Sequence, residues 1–154
     1  MRELRVVGVR VELPTNQPIV LLKEIGGERF LPIWIGAVEA TAIAYEQQGI
    51  TPDRPLTHDL MRDVLTALDI ELVAVEINDI RDTIFFADLV FASDVRVSAR
   101  PSDAIALALR TGATVRCTEE VLAASGITMS EASDDEVEKF REFLDNVTPE
   151  DFAE

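Results

Sequence analysis

Three carboxylates stand where the sequence predicts first turns of helices: Glu39, Asp59 and Asp103. An acid at such a position ordinarily complements the helix dipole and accepts hydrogen bonds from free backbone N–H groups. If the fold brings Glu39 and Asp103 together, they become candidate ligands for Mg²⁺ or Mn²⁺, with water completing the coordination. Such an ion would activate water and stabilise a phosphoryl transition state. The positive ends of the helix dipoles oppose a cation there, so both interpretations stay open.

His58 is the only histidine, so imidazole acid–base chemistry falls to this residue. A lone histidine is more often an ordinary surface residue near a helix start. A catalytic role is favoured by the polar groups that crowd the preceding loop, which two prolines stiffen. The candidate catalytic residues are therefore His58, Asp59, Glu39 and Asp103.

Arg100 precedes Pro101 at a predicted helix entrance, where proline fixes the backbone for the first turn. Its guanidinium can either pair with Asp103 or hold a phosphate in its planar fork, and ion pairing is the simpler interpretation. Free backbone N–H groups at the helix start would add to anion binding. The candidate substrate-binding residues are Arg54, Arg100 and Ser102.

The stretches that follow Glu39 and Asp103 resemble each other, because alanines recur at the same spacing after each acid. Upstream, alternating apolar residues match at an offset of 66, as in Val7 and Val73. This self-similarity predicts an α+β fold made of two duplicated β-β-β-α units, residues 4–45 and 70–109. We expect a mixed or antiparallel sheet, buried helices and Glu39 equivalent to Asp103. Residues 1–130 are the predicted domain, and 131–154 are a predicted acidic C-terminal helical tail.

Apolar periodicity predicts which faces of the elements are buried. The first strand, residues 4–13, should turn Val7, Val9, Val11 and Leu13 inward. The second unit should begin with a strand from about residue 70 and turn near Asn78-Asp79. The helix that starts after Thr57 should bury its apolar side and turn its polar side outward, which comprises His58, Asp59, Arg62, Asp63 and Thr66. That apolar side comprises Leu60, Met61, Val64, Leu65 and Leu68.

The net charge of −15 is concentrated at the C-terminus, since residues 131–154 carry ten acids and two bases and the rest balances at −7. An acidic body argues against tight, phosphate-driven nucleic-acid binding. A single Cys117 excludes an internal disulfide and a cysteine-based zinc site. We find no segment apolar enough to span a bilayer and no signal peptide, which predicts a cytoplasmic protein. Nucleotide-binding and hydrolase loop motifs are missing, so no organic cofactor is expected.

Three motifs together resemble the bifunctional nuclease domain family. They are Leu-Pro-Ile-Trp-Ile-Gly at 31–36, Arg-Pro-Leu-Thr-His-Asp at 54–59 and Ala-Arg-Pro-Ser-Asp-Ala at 99–104, and the resemblance covers roughly residues 3–127. It implies a duplicated α+β fold, DNase and RNase activity, and homodimers. The resemblance identifies candidate residues and carries no established mechanism.

Two hypotheses follow. In the first, the protein is a metal-assisted nuclease that binds DNA and RNA weakly as substrates. His58 is then the acid, Arg54 and Arg100 hold phosphate, and the carboxylates serve as base or metal ligands. In the second, the protein is a non-enzymatic dimeric binding or regulatory module whose motifs cap and pack helices.

Overall fold

The computed structural model describes residues 1–128. The first half contains β1 (Arg2–Glu12), β2 (Gln17–Glu24), β3 (Arg29–Trp34), α1 (Ala37–Gln47) and α2 (Thr57–Ala67). The second half contains β4 (Leu72–Arg81), β5 (Ile84–Phe91), β6 (Arg96–Ala99), α3 (Pro101–Thr111), β7 (Thr114–Cys117), α4 (Glu119–Ser125) and β8 (Ile127–Thr128). The predicted acidic helix within 131–154 and the boundary near residue 130 lie outside the described residues.

Within this part of the chain, eight strands form one sheet in the order β6-β5-β4-β7-β1-β2-β3-β8. The strands β1-β2-β3 and β4-β5-β6 are two antiparallel meanders, each followed by a helix. Strand β7 lies between them, antiparallel to β1 and parallel to β4. The strands β1 and β4 therefore run in opposite directions, as a twofold axis perpendicular to the sheet requires. This arrangement confirms the predicted α+β fold with duplicated β-β-β-α units.

The two units also share a β-bulge, an extra residue without a partner on the neighbouring strand. In β1 the pairing with β2 skips Val7, and in β4 the pairing with β5 skips Val73, its counterpart 66 residues later. A bulge shifts the alternation of faces by one residue. Val6 rather than Val7 therefore packs against the core along with Val9 and Val11. Leu13 lies beyond the end of β1 and is exposed, so the predicted inward face was wrong at Val7 and Leu13.

The turn of the second meander lies at Asp82 and Thr83, four residues later than predicted. Both residues have positive φ, +50° and +68°, as in the two-residue turns that match the twist of a hairpin. The predicted site at Asn78-Asp79 is instead a second register shift within β4. A polar pair in a strand suggested a turn because a bulge and a turn have similar local sequence signals.

The sheet curls around α1 and α3. Six strand spacings separate β6 from β3, which is about 29 Å in a flat sheet. Nevertheless Arg100, directly after β6, reaches Glu39 at the start of α1, with 2.8 Å between Nη2 and Oε1. The two helices lie within the curl, where the small residues Ala104, Ala106 and Ala108 are all buried. Burial of α1 is less complete than predicted, because Val38 is 79% exposed.

Helix α2 is rotated about its axis relative to the prediction. Its buried residues are His58 and Asp59, and only Met61 and Leu65 of its apolar residues pack against the core. Leu60, Val64 and Leu68 are exposed and follow one another at helical spacing along the surface. A buried partner for Asp59, described below, determines this orientation. No helix among residues 1–128 is long and apolar enough to cross a membrane.

Candidate active site

Four of the predicted side chains form one hydrogen-bonded cluster. His58 Nε2 lies 3.0 Å from Asp103 Oδ1. Arg100 donates from Nε to Asp103 Oδ2 at 2.9 Å and from Nη2 to Glu39 Oε1 at 2.8 Å. The guanidinium of Arg100 thus joins the two carboxylates that the duplication makes equivalent. We call His58, Asp103, Arg100 and Glu39 the helix-start cluster.

The helix starts position these side chains. Glu39, Asp59 and Asp103 are each the third residue of a helix, where a carboxylate can turn back over the first turn. The side chain of Glu39 does so above Gly36, because a Cβ at Gly36 would overlap Glu39 Oε2. A side chain at position 36 would therefore push the Glu39 carboxylate away from its present position, at the point where β3 passes into α1. Pro101 starts α3 and places Arg100 at its N-cap.

The electrostatics favour an ionised Asp103. Burial alone would raise the pKa of this carboxyl, but hydrogen bonds from Arg100 and His58 outweigh burial and lower it. A carboxylate can only accept, so the hydrogen of the imidazole lies on Nε2 and the ring orientation is fixed. The other ring nitrogen, Nδ1, has no hydrogen-bond partner within residues 1–128. Nδ1 is therefore the nitrogen available to a substrate.

Arg100 faces solvent although it bridges two acids. Its side chain is 65% exposed, compared with 15% for Glu39 and 31% for Asp103. Its acidic neighbours, Asp103 first and then Glu39, raise the pKa of the guanidinium. At this exposure the ion pairs contribute little to stability. The guanidinium can exchange a carboxylate for an incoming anion at low cost.

Asp59 does not join the cluster. Its Oδ1 accepts from Arg110 Nε at 2.6 Å, and its Oδ2 accepts from the N–H of Leu56 at 3.0 Å. Arg110 also donates to the carbonyl oxygens of Ala106 and Ala42, so it links α2, α3 and α1. Burial would raise the pKa of Asp59, but Arg110 and Leu56 lower it. Asp59 anchors the helix start that carries His58.

Arg110 was not among the predicted site residues. A signal was present: Arg110 is the only charged residue between Asp103 and the end of an otherwise apolar helix. A charge on a buried helix implies a buried partner of opposite charge. The partner, Asp59, is 51 residues away in sequence, so its identity could not be read from local pattern.

The remaining predicted residues have different surroundings. Arg54 is exposed in the loop before α2, and its guanidinium makes no hydrogen bond or ion pair with another described residue. Ser102 is buried at the start of α3, and its hydroxyl is likewise without a hydrogen bond inside the described range. Ser102 and Arg100 line an open cleft of about 330 Å³. The cleft also contains Gln17, Trp34, Gly36, Thr83, Ile84 and Phe85.

The side chains do not form a preformed metal centre. In the described part of the chain, no three Asp, Glu, His or Cys residues are grouped as metal ligands would be. Glu39 and Asp103 are brought together as predicted, but the guanidinium of Arg100 lies between their carboxylates. A divalent cation would have to displace Arg100 to reach both acids. The metal site at Glu39 and Asp103 stays a prediction.

Fold and site together define a duplicated α+β domain whose two helix starts meet beside an open cleft and share a histidine, an arginine and two carboxylates. The chain belongs to the bifunctional nuclease domain family, since the sequence model of that family matches residues 20–130. Two proteins of Mycobacterium tuberculosis, from strains CDC 1551 / Oshkosh and ATCC 25618 / H37Rv, are each 54% identical to this chain over 161 aligned positions. Each alignment covers 99% of this chain and 98% of the relative, and both relatives are named as uncharacterized proteins.

Proposed function

We propose that this protein is a nuclease that hydrolyses phosphodiester bonds of DNA and RNA at the helix-start cluster. The observation that carries the proposal is the contact of His58 Nε2 with Asp103 Oδ1, at 3.0 Å, beside an exposed arginine. A buried acid–base group oriented by a carboxylate and a cation for phosphate are the parts that such hydrolysis needs. Membership in the bifunctional nuclease domain family supports the same reaction class.

Each residue has a role in this proposal. Arg100 binds a non-bridging oxygen of the scissile phosphate, and Arg54 supplies a second cation from its exposed loop. Glu39 accepts a proton from the attacking water, whose oxygen bonds to phosphorus. The bond to the leaving oxygen breaks as His58, protonated on both ring nitrogens, donates its Nδ1 proton to that oxygen and keeps the Nε2 hydrogen that faces Asp103. Asp103 holds the imidazole in place, and Asp59 acts one step further away, by fixing the start of α2.

Assistance by Mg²⁺ or Mn²⁺ is a separate part of the proposal. The cation would be bound by Glu39 and Asp103 in place of Arg100, and none of the steps above depends on it. Cleavage measured with added Mn²⁺ or Mg²⁺, and again with EDTA, separates the two cases. Loss of activity in EDTA that added Mg²⁺ or Mn²⁺ restores supports the cation, and unchanged activity in EDTA removes it from the proposal.

The test of the proposal uses two isosteric variants and a matched control. Glu39→Gln and Asp103→Asn keep size and capping ability but remove charge, and both should abolish cleavage of single-stranded DNA and RNA. The control is Asp63→Asn, an exposed acid on α2 that pairs only with Arg62 among the described residues. Cleavage that survives in the double variant Glu39→Gln/Asp103→Asn would refute the assignment of the site.

Homodimerisation is also part of the proposal, with α2 as the interface. Leu60, Val64 and Leu68 leave an apolar stripe exposed on a helix whose other face is anchored inside the domain. A second copy of the same stripe would bury it in an isologous contact. Sedimentation should show a dimer for the wild-type chain and a monomer for Leu60→Glu/Leu68→Glu. A monomeric wild-type chain would contradict this interface.

The alternative function is a non-enzymatic dimeric binding or regulatory module. It is favoured by the use of both Asp59 oxygens in structural hydrogen bonds and by the position of all three acids in first turns. In that case Glu39→Gln and Asp103→Asn would cost stability of about 1 kcal/mol, the value of one dipole interaction. Any trace cleavage would be the same in variants and wild type.

A further inference from the structure

Trp34 is exposed, whereas the residues directly before and after it are buried. Ile33 and Ile35 are buried in the core, whereas Trp34 is 52% exposed at the end of the strand. It lines the cleft that Arg100 and Ser102 also line, and the same cleft is lined by Ile84, which is 61% exposed. The lining of the cleft therefore combines aromatic and apolar side chains with one cation.

The cleft joins the two duplicated units. Trp34 and Gly36 come from the first unit, and Ile84, Arg100 and Ser102 come from the second. Its volume of about 330 Å³ lies at the lower end of the range for small-ligand sites. The guanidinium of Arg100 bridges the helix-start cluster and the cleft. A phosphate bound by Arg100 would thus place the adjoining nucleoside in the cleft.

We propose that Trp34 is a stacking platform for a nucleobase of single-stranded nucleic acid, next to the phosphate held by Arg100. This inference rests on the proposed function, and it specifies the substrate as unpaired. A base can stack on an indole only when it is free of its own helix. Stacking does not read the sugar, so one platform accepts both DNA and RNA.

Stacking also explains how an acidic protein could bind a nucleic acid. The chain has a net charge of −15, so long-range attraction to phosphates cannot supply its affinity. A stacked base binds without that attraction. Because Arg100 is the cation that lines the cleft and Arg54 is proposed as a second cation, the plot of log affinity against log salt should have a slope of about −0.7 to −1.4, the values for one and two phosphates on a single strand.

Trp34 is the only tryptophan, so intrinsic fluorescence reports this position alone. The experiment titrates the full-length protein with hexathymidylate carrying phosphorothioate linkages, chosen to resist cleavage. The matched probe is a hexamer of abasic deoxyribose phosphates with the same charge. Hexathymidylate should quench the emission saturably, and the abasic probe should not. Equal quenching by both probes would overturn the proposal, because it would show phosphate binding without stacking.

Variants give a second readout through the anisotropy of a labelled hexathymidylate. Trp34→Leu should weaken binding about 5- to 150-fold, the loss expected for one stacked base, without changing the salt slope. Trp34→Phe should bind nearly as well as wild type, because it keeps a stacking ring. Val95→Ala, at a residue that is also 52% exposed but outside the cleft, should have no effect. Equal binding by Trp34→Leu and wild type would overturn the proposal.

Two further outcomes are separable. Emission that changes with protein concentration in the absence of any probe would show that a second copy of the chain occupies the cleft, which overturns the proposal. Cleavage of single strands without base-dependent quenching would overturn the stacking platform and leave the nuclease standing. Base-dependent quenching without cleavage would support the platform and refute hydrolysis.

Discussion

Breaking the buried pair of Asp59 and Arg110 should be the most costly single change in the site region. The side chain of Arg110 is 2% exposed and that of Asp59 is 10% exposed, with 2.6 Å between Nε and Oδ1. Arg110→Met leaves a buried carboxylate without its cation and removes the side-chain donor to the carbonyl of Ala42. Removing one partner of a buried pair costs about 3–5 kcal/mol, and we expect Arg110→Met to lie in that range.

The assay is urea unfolding followed by circular dichroism on Asp59→Asn, Arg110→Met and the double variant. Once the pair is broken, removing the second partner also removes an unpaired buried charge. The double variant should therefore lose about 2–3 kcal/mol less stability than the sum of the losses in the two single variants. The control cycle uses Arg62→Met and Asp63→Asn, an exposed pair on the same helix. Such a pair contributes roughly 0.2–1 kcal/mol.

Two results would show that the pair of Asp59 and Arg110 does not anchor α2. The first is additivity of Asp59→Asn and Arg110→Met to within about 0.5 kcal/mol, as found for independent sites. The second is an Arg110→Met variant that is no less stable than Arg62→Met. Either result would mean that the pair does not hold the start of α2, and that the position of His58 has another cause.

Three other predictions concern stability. Burial would raise the pKa of Glu76 in β4, but hydrogen bonds from Arg96 and Arg116 outweigh burial and lower it, as Asp59 and Asp103 are lowered by their own partners. The stabilisation from these three acids is complete above their unfolded pKa values and is lost as pH falls below about 4.5 and through the folded values, so the unfolding free energy should decline between pH 7 and 3, and a flat profile would contradict this. Burial raises the pKa of Cys117 to about 11, so iodoacetamide at pH 8 should modify it only at the rate of global unfolding, whereas rapid modification of the native protein would refute its burial. Deletion of residues 131–154 should leave cooperative unfolding and bring the net charge to −7, and a truncated chain without cooperative unfolding would show that the tail is integral to the domain.

Much of the fold could be predicted because it repeats. Two acids followed by the same alanine spacing predicted two equivalent helix starts, and the curl of the sheet does bring Glu39 and Asp103 to the same guanidinium. Arg100 was predicted to pair with Asp103 or to hold phosphate. Its pairing with Asp103 is confirmed, and its second bond to Glu39 follows from the twofold arrangement. Local pattern was sufficient wherever the partner was a neighbour in sequence or in the repeat.

Local pattern failed where a partner came from a distant segment. Helix α2 has a clear apolar side, yet Arg110 draws Asp59 inward and leaves Leu60 and Val64 exposed. The spacing of apolar residues carries no information about which charged residue has a buried partner of opposite charge. The bulge at Val7 was missed for a related reason, since an unpaired residue becomes visible only when both strands are in place.

Participation of His58 in the cleavage of a phosphodiester bond can be tested by a single ratio of rates. The measurement is the cleavage rate of a labelled single-stranded oligonucleotide by wild type and by His58→Ala, purified in parallel, with Asp63→Asn as control. As general acid, His58 should contribute roughly 10²–10⁴ to the rate, so His58→Ala should be slower by that factor while Asp63→Asn equals wild type. Equal rates for His58→Ala and wild type would contradict the claim.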